Sequence, residues 1–264
     1  RFQVHGSSAS KITIRGVKVG GKRPILSGGN NTMEAAGNHY VIEGFEFTGG
    51  TSRCFYHHAD DVTLRDSIVR GCPAQGILGG DTDTGSFTME YVEVTNSGSA
   101  TMNHAVYMSS DEATYPGSVF RMQHCYIHDN VGGNAVKSRA ERNEIYYNWI
   151  DASLYRSLEL IGAEVGIPGV NPDTAREDSD VVGNVLRQTK SFPVVRIGGD
   201  KEDADTNGRY RFVNNTILTT GTSAIFQLYL GVDSVEMHNN VIHRTDGAPR
   251  IMDVGDVVWS TGSA

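Results

Sequence analysis

The sequence predicts an all-β fold, a parallel β-helix built as a single-stranded solenoid of about nine coils. Three observations carry that reading. A six-residue phrase with apolar ends recurs at residues 14–19, 42–47, 64–69, 89–94, 122–127, 145–150, 181–186, 212–217 and 237–242. It returns about every 22 to 36 positions, the range of stacked repeat architectures. Its fourth position is asparagine at Asn148, Asn184, Asn215 and Asn240, and no segment keeps helical apolar spacing between caps.

Each part of a coil follows from these features. The middle of the phrase carries Gly, Asp, Asn or a similar turn residue, so it bends a strand pair. Stacked coils bring equivalent residues to about 4.8 Å, so the asparagines are expected to form a hydrogen-bonded column at that bend. A second strand follows in each coil, seen as residues 77–79, 106–108, 136–138, 158–160, 195–197 and 226–228. Its outer residues are apolar and its central residue alternates to the opposite, outward face. The connections at 109–117, 163–179 and 199–208 differ in length. In solenoids such insertions gather on one face, often the binding face.

A solenoid has one continuous core, so residues 1–264 are read as a single β-helix domain. The formal charge of −8 comes without a basic cluster, which argues against a nucleic-acid partner. No run of about 18 apolar residues is present, so no membrane span is expected. With Arg1 where an initiator would stand, the sequence is read as trimmed. Cys54 and Cys72 lie on neighbouring coils and can pair in an oxidising compartment, whereas Cys125 falls in the turn column and reads as a small buried hydrophobe.

The outward centres of the second strand form a column of Leu78, Tyr107, Lys137, Glu159, Arg196 and Gln227. Arg139 lies two residues beyond Lys137 on the same face. Tyr107, Lys137, Arg139 and Glu159 are the candidate catalytic residues, and Arg196, Gln227 and His104 are the candidate substrate-binding residues. Such a group of cations with one tyrosine, on an open outer wall, suits a long anionic ligand. The competing reading is an exposed ion-pair ladder that contributes little. Glu159 beside Lys137 also favours the charged lysine, which works against a base.

A second column follows the strand: Asp81, Asp111, Glu141, Glu164 and Asp200, with Asp83, Asp203 and Asp205 nearby. Acidic turn residues commonly cap backbone N–H groups. Oxygen donors in Gly-rich loops also suit calcium, for which Asp81, Asp83, Asp111 and Asp200 are the candidate ligands. His124 and His238 fall in the repeated bend and read as structural. No nucleophile–His–acid set and no phosphate loop can be assembled.

Residues 38–50 (NHYVIEGFEFTGG) and 134–148 (NAVKSRAERNEIYYN) resemble the right-handed parallel β-helix superfamily of pectate-lyase type. Val136, Lys137 and Ser138, followed by Asn143 and Asn148, look like the lysine-bearing coil of the alginate lyase and chondroitinase B group. The chain also looks like uncharacterised bacterial β-helix repeat proteins. The resemblance to the lyases implies a lysine that takes a proton from a uronic acid, an arginine on the next coil, and often calcium at the carboxylate. Lys137 matches the lysine. The next coil offers Ser157, Leu158 and Glu159 where that pattern has arginine, so Arg139 or Arg196 would have to serve instead.

The expectation is therefore a polysaccharide lyase acting by β-elimination on a uronate-containing glycan. It would be secreted, periplasmic or on the cell surface. Two alternatives stay open at this level: a glycoside hydrolase using Glu159 with Asp111, Glu164 or Asp200, and a non-catalytic carbohydrate-binding or structural β-helix.

Overall fold

The structure is a computed structural model, described here over residues 6–163, 176–200 and 206–254. Its strands form three parallel sheets, each taking one segment from successive coils. The first sheet includes Tyr40–Glu43, Val119–Gln123, Arg142–Tyr146, Asp178–Val182, Gly208–Val213 and Val232–His238. The second includes Glu46–Thr48, Tyr126–His128, Trp149–Asp151, Val185–Gln188, Thr216–Thr219 and Val241–Arg244. Val62–Arg70 and Phe87–Thr95 are long enough to belong to both. The third sheet has nine strands, from Asn31–Ala35 through Val136–Arg139 and Leu158–Ile161 to Met252–Val254. Among the described residues, one strand of the third sheet per coil gives nine coils, and the fold is a parallel β-helix.

The repeated phrase makes the corner between the first and second sheets. Its third position adopts the left-handed conformation, at φ 53° for Tyr91, 54° for His124 and 57° for Tyr147. That conformation is costly for bulky residues, and ring stacking offsets the cost. Tyr91 stacks on His124 at 4.9 Å and His124 on Tyr147 at 5.6 Å. The next copy has Gly183, where a Cβ would lie 2.5 Å from the Tyr147 ring.

Directly after this bend runs the asparagine column. Asn148 donates to Asn184 at 2.9 Å, Asn184 to Asn215 at 3.0 Å, and Asn215 to Asn240 at 2.9 Å. The same amides donate to the Met122, Ile145 and Val181 carbonyls. Each polar group of the buried corner is thereby satisfied, as burial requires.

Inside the coils, one continuous apolar core runs along the axis. Phe47, Phe55, Phe87 and Phe120 follow one another through it. Burying each such ring is worth about 2–3 kcal/mol. Cys54 and Cys72 are joined in a disulfide with Cα atoms 5.7 Å apart. Cys125 is buried, and burial pushes its thiol up to about 12, so it is an inert core group.

Candidate functional site

Parallel registry of the third sheet fixes the site. Tyr107 pairs with Lys137, Lys137 with Glu159, Glu159 with Arg196, and Arg196 with Gln227. The column predicted from the strand centres therefore exists on one wall. That wall is not open, and this corrects the expectation of an exposed face. Lys137 is 6% exposed, Glu159 4% and Arg196 7%. Their side chains lie across one another and are flanked by residues beside the strands.

Glu159 is the hub. Its Oε1 accepts from Arg196 at 2.9 Å and from Arg156 at 3.4 Å. Its Oε2 accepts from the Asn134 amide at 2.7 Å and stands 3.8 Å from Lys137 Nζ. Burial works against its charge, but Lys137, Arg196 and Arg156 outweigh burial and hold the carboxyl below its usual range. Asp200 is a second anchor, paired with Arg139 and, at 3.2 Å, with Arg196. Burial opposes its charge too, yet Arg139, Lys137 and Arg196 keep it below the ordinary carboxylate range.

Tyr107 is the polar end of the group. Arg139 Nε donates to its phenol oxygen at 3.1 Å, and Lys137 Nζ lies 5.2 Å from its ring centre. Arg139 also donates to the Gly162 carbonyl at 2.6 Å. His104 packs edge-on against Tyr107 with ring centres 5.6 Å apart. Its Nδ1 accepts the Asn134 backbone N–H at 2.8 Å, which assigns the ring proton to Nε2. Burial first, then the Lys137 and Arg139 charges, push this imidazole down to about 4, so it is neutral at ordinary pH. Gln227 accepts from Arg156 at 2.9 Å.

Three participants were not in the predicted set. Tyr229 lies under the Arg196 guanidinium at 4.2 Å. It stands two residues beyond Gln227, as Arg139 stands beyond Lys137, so strand alternation could have found it. Asn134 and Arg156 fall in the turn before the strand, in one column with His104. Counting back two residues from the aligned Val106, Val136 and Leu158 would have exposed that column.

The acidic set does not converge. Asp81 and Asp83 are exposed, and the Asp83 N–H donates to Asp111 at 2.9 Å. Asp111 also accepts from the Thr114 N–H at 3.0 Å, the capping role that acidic turn residues commonly play. Asp200 faces two guanidinium groups. Glu164, Asp203 and Asp205 lie outside the described residues. Among the described residues no group of three or more His, Cys, Asp or Glu side chains is arranged to hold a metal. Among the described residues Asp81, Asp83, Asp111 and Asp200 are not gathered into one ligand set, and no chemical step is routed through calcium.

No protein-family profile matches the chain, and no curated protein is significantly similar to it. Among solved structures, it is similar to the crystal structure of an alginate lyase from Paenibacillus sp. str. FPU-7. The TM-score is 0.57 at 17% identity, covering 97% of this chain and 88% of that one. At such identity the likeness shows the fold alone, a parallel β-helix.

Proposed function

We propose that this protein is a polysaccharide lyase that cleaves a uronate-containing glycan by β-elimination, with Lys137 and Tyr107 as its proton-transfer pair. One observation carries the reading. A lysine and a tyrosine stand on adjacent rungs with Nζ 5.2 Å from the ring centre, and an arginine donates to the phenol oxygen. The β-helix that holds them has the fold of an alginate lyase.

Elimination needs a base for the proton on C5, an acid for the leaving oxygen on C4, and positive charge near the carboxylate. Lys137 takes the C5 proton, the electron pair forms the C4–C5 double bond, and the C4–O bond breaks. Tyr107 returns a proton to the departing oxygen. Arg139 at the phenol stabilises negative charge there through a charge-assisted hydrogen bond. Arg139 and Arg196 already hold Asp200 and Glu159, so they act on the sugar carboxylate mainly through their charge. His104 and Gln227 border the same surface and are assigned to substrate positioning.

A glycoside hydrolase requires one carboxyl that keeps its proton near neutrality. Of the carboxyls weighed for that role, Glu159, Asp111 and Asp200 are each held below the ordinary range, so none of these three supplies that acid. A glycan polymer as substrate places the protein outside the cytoplasm, and the Cys54–Cys72 disulfide suits an oxidising compartment. No helix among the described residues is long and apolar enough to cross a membrane.

The test is a panel of uronate-containing and neutral polysaccharides, followed by ultraviolet absorbance for unsaturated ends. At least one uronate polymer is expected to give rising absorbance, and none of the neutral polymers. Cleavage confined to neutral glycans would reject the proposal.

A further inference from the structure

Within this site, Glu159 Oε2 has two neighbours of unequal distance. The Asn134 amide is 2.7 Å away and Lys137 Nζ is 3.8 Å away. The first is a short hydrogen bond and the second is an ion-pair contact beyond hydrogen-bond range. We propose that Asn134 is a positioning residue that holds Glu159 Oε2 at ion-pair distance from Lys137 and out of a direct hydrogen bond with it, while the carboxylate anchors the arginines.

The orientation of the amide is over-determined. Asn134 Oδ1 accepts the Arg156 backbone N–H at 3.1 Å, which leaves Nδ2 as the end that faces Glu159. The Asn134 backbone N–H is spent on His104 at 2.8 Å. Gly133 makes that approach possible, since it sits at φ 47° and a Cβ there would lie 2.4 Å from His104 Nδ1. Asn134 is itself buried. One residue thus ties together His104 on the preceding coil and Arg156 and Glu159 on the following one. A short amide fits this place because it offers a donor and an acceptor about one bond from the backbone turn. Aspartate would set a second carboxylate against Glu159, and alanine offers neither group.

Lys137 is surrounded, among the described residues, by Tyr107 and His104 from the preceding rung and Arg139 on its own strand. Glu159, which holds Arg156 and Arg196, faces it from the next rung, and Asp200 from the rung beyond. If the Asn134 donor is removed, Glu159 Oε2 loses its shortest bond and relaxes toward the Lys137 ammonium. A closer carboxylate favours the charged lysine, so Lys137 would release its proton at higher pH. The link to turnover rests on Lys137 being the base.

The chain has six lysines, few enough to follow their titrations by NMR with ¹³C-labelled lysine, assigning Lys137 through Lys137→Arg. In Asn134→Ala the Lys137 midpoint is expected to rise by on the order of one pH unit. The acidic limb of kcat/KM should move up by the same amount. In a Glu159→Gln background the Asn134→Ala substitution should no longer shift the midpoint, because the carboxylate through which Asn134 acts is gone. An unchanged Lys137 midpoint in Asn134→Ala, or in Asn134→Ser should the alanine variant not fold, overturns the proposal. A shifted midpoint with an unmoved rate profile supports the role of Asn134 and removes Lys137 as the base.

Discussion

Two walls of the same solenoid carry stacked charges, and they behave differently. On the first sheet, Arg121, Glu144, Asp180, Arg211 and Glu236 occupy successive rungs. Arg121 pairs with Glu144 at 2.5 Å and Arg211 with Asp180 at 2.8 Å. The Arg211 side chain is 52% exposed. On the third sheet Lys137, Glu159 and Arg196 have the same registry, but there the cations are buried along with the carboxylate, whereas on the first sheet Asp180 is buried and Arg121 and Arg211 are not. Stacking alone therefore makes an ion ladder, and on the first sheet that is all it makes. What sets the third sheet apart is desolvation together with neutral partners of fixed geometry: Tyr107, His104 and Asn134.

The largest contrast should appear in turnover. Lys137→Ala is expected to lower the rate of unsaturated-product formation by about 10²–10⁴-fold, the range of a lost acid–base group. Arg211→Ala on the other wall should leave it unchanged. Absorbance assays on the two variants would break the comparison if both lost activity equally.

Stability should follow the same division. Glu159→Ala strands Lys137, Arg156 and Arg196 around a buried gap. A loss of about 3–5 kcal/mol is expected from such a broken pair, read by urea denaturation.

Glu177 sharpens the picture at the edge of the site, where it accepts the Ala163 N–H at 3.1 Å. Burial, reinforced by Glu112, pushes its carboxyl up to about 9. The folded chain keeps that proton where the unfolded chain has lost it. The resulting stability is full below the ordinary glutamate range and drains away as pH rises toward 9. Between pH 7 and 9 the protein should lose about 2–3 kcal/mol that Glu177→Gln retains. Denaturation curves that shift equally for both proteins would remove this assignment.

The smallest effect belongs to the exposed arginines of that ladder. Arg211→Gln should change stability by no more than about 1 kcal/mol, because its side chain is 52% exposed and solvent screens its pair with Asp180. A larger loss would mean that the first wall is less like open surface than its exposure indicates.

How much of this was legible in the sequence depends on which contacts repeat. Asn148, Asn184, Asn215 and Asn240 recur at one position of a periodic phrase, so both the coil and their hydrogen-bonded column could be read directly. The registry of Tyr107, Lys137, Glu159 and Arg196 followed from the same alignment. Arg156 and Asn134 were missed because they sit in turns, where no strand alternation marks which way a side chain faces. Burial of the column was missed for a related reason. Period two tells inside from outside, but it does not report how long side chains such as Lys137 and Arg196 cover one another.

The central claim is elimination at the Tyr107–Lys137 pair, and mass spectrometry of the cleaved glycan tests it most directly. The account predicts new non-reducing ends that carry a double bond and are lighter by one water than hydrolysed ends, and their absence with Lys137→Ala. Fully hydrated ends from the wild-type protein would contradict it and return the chemistry to the carboxylates.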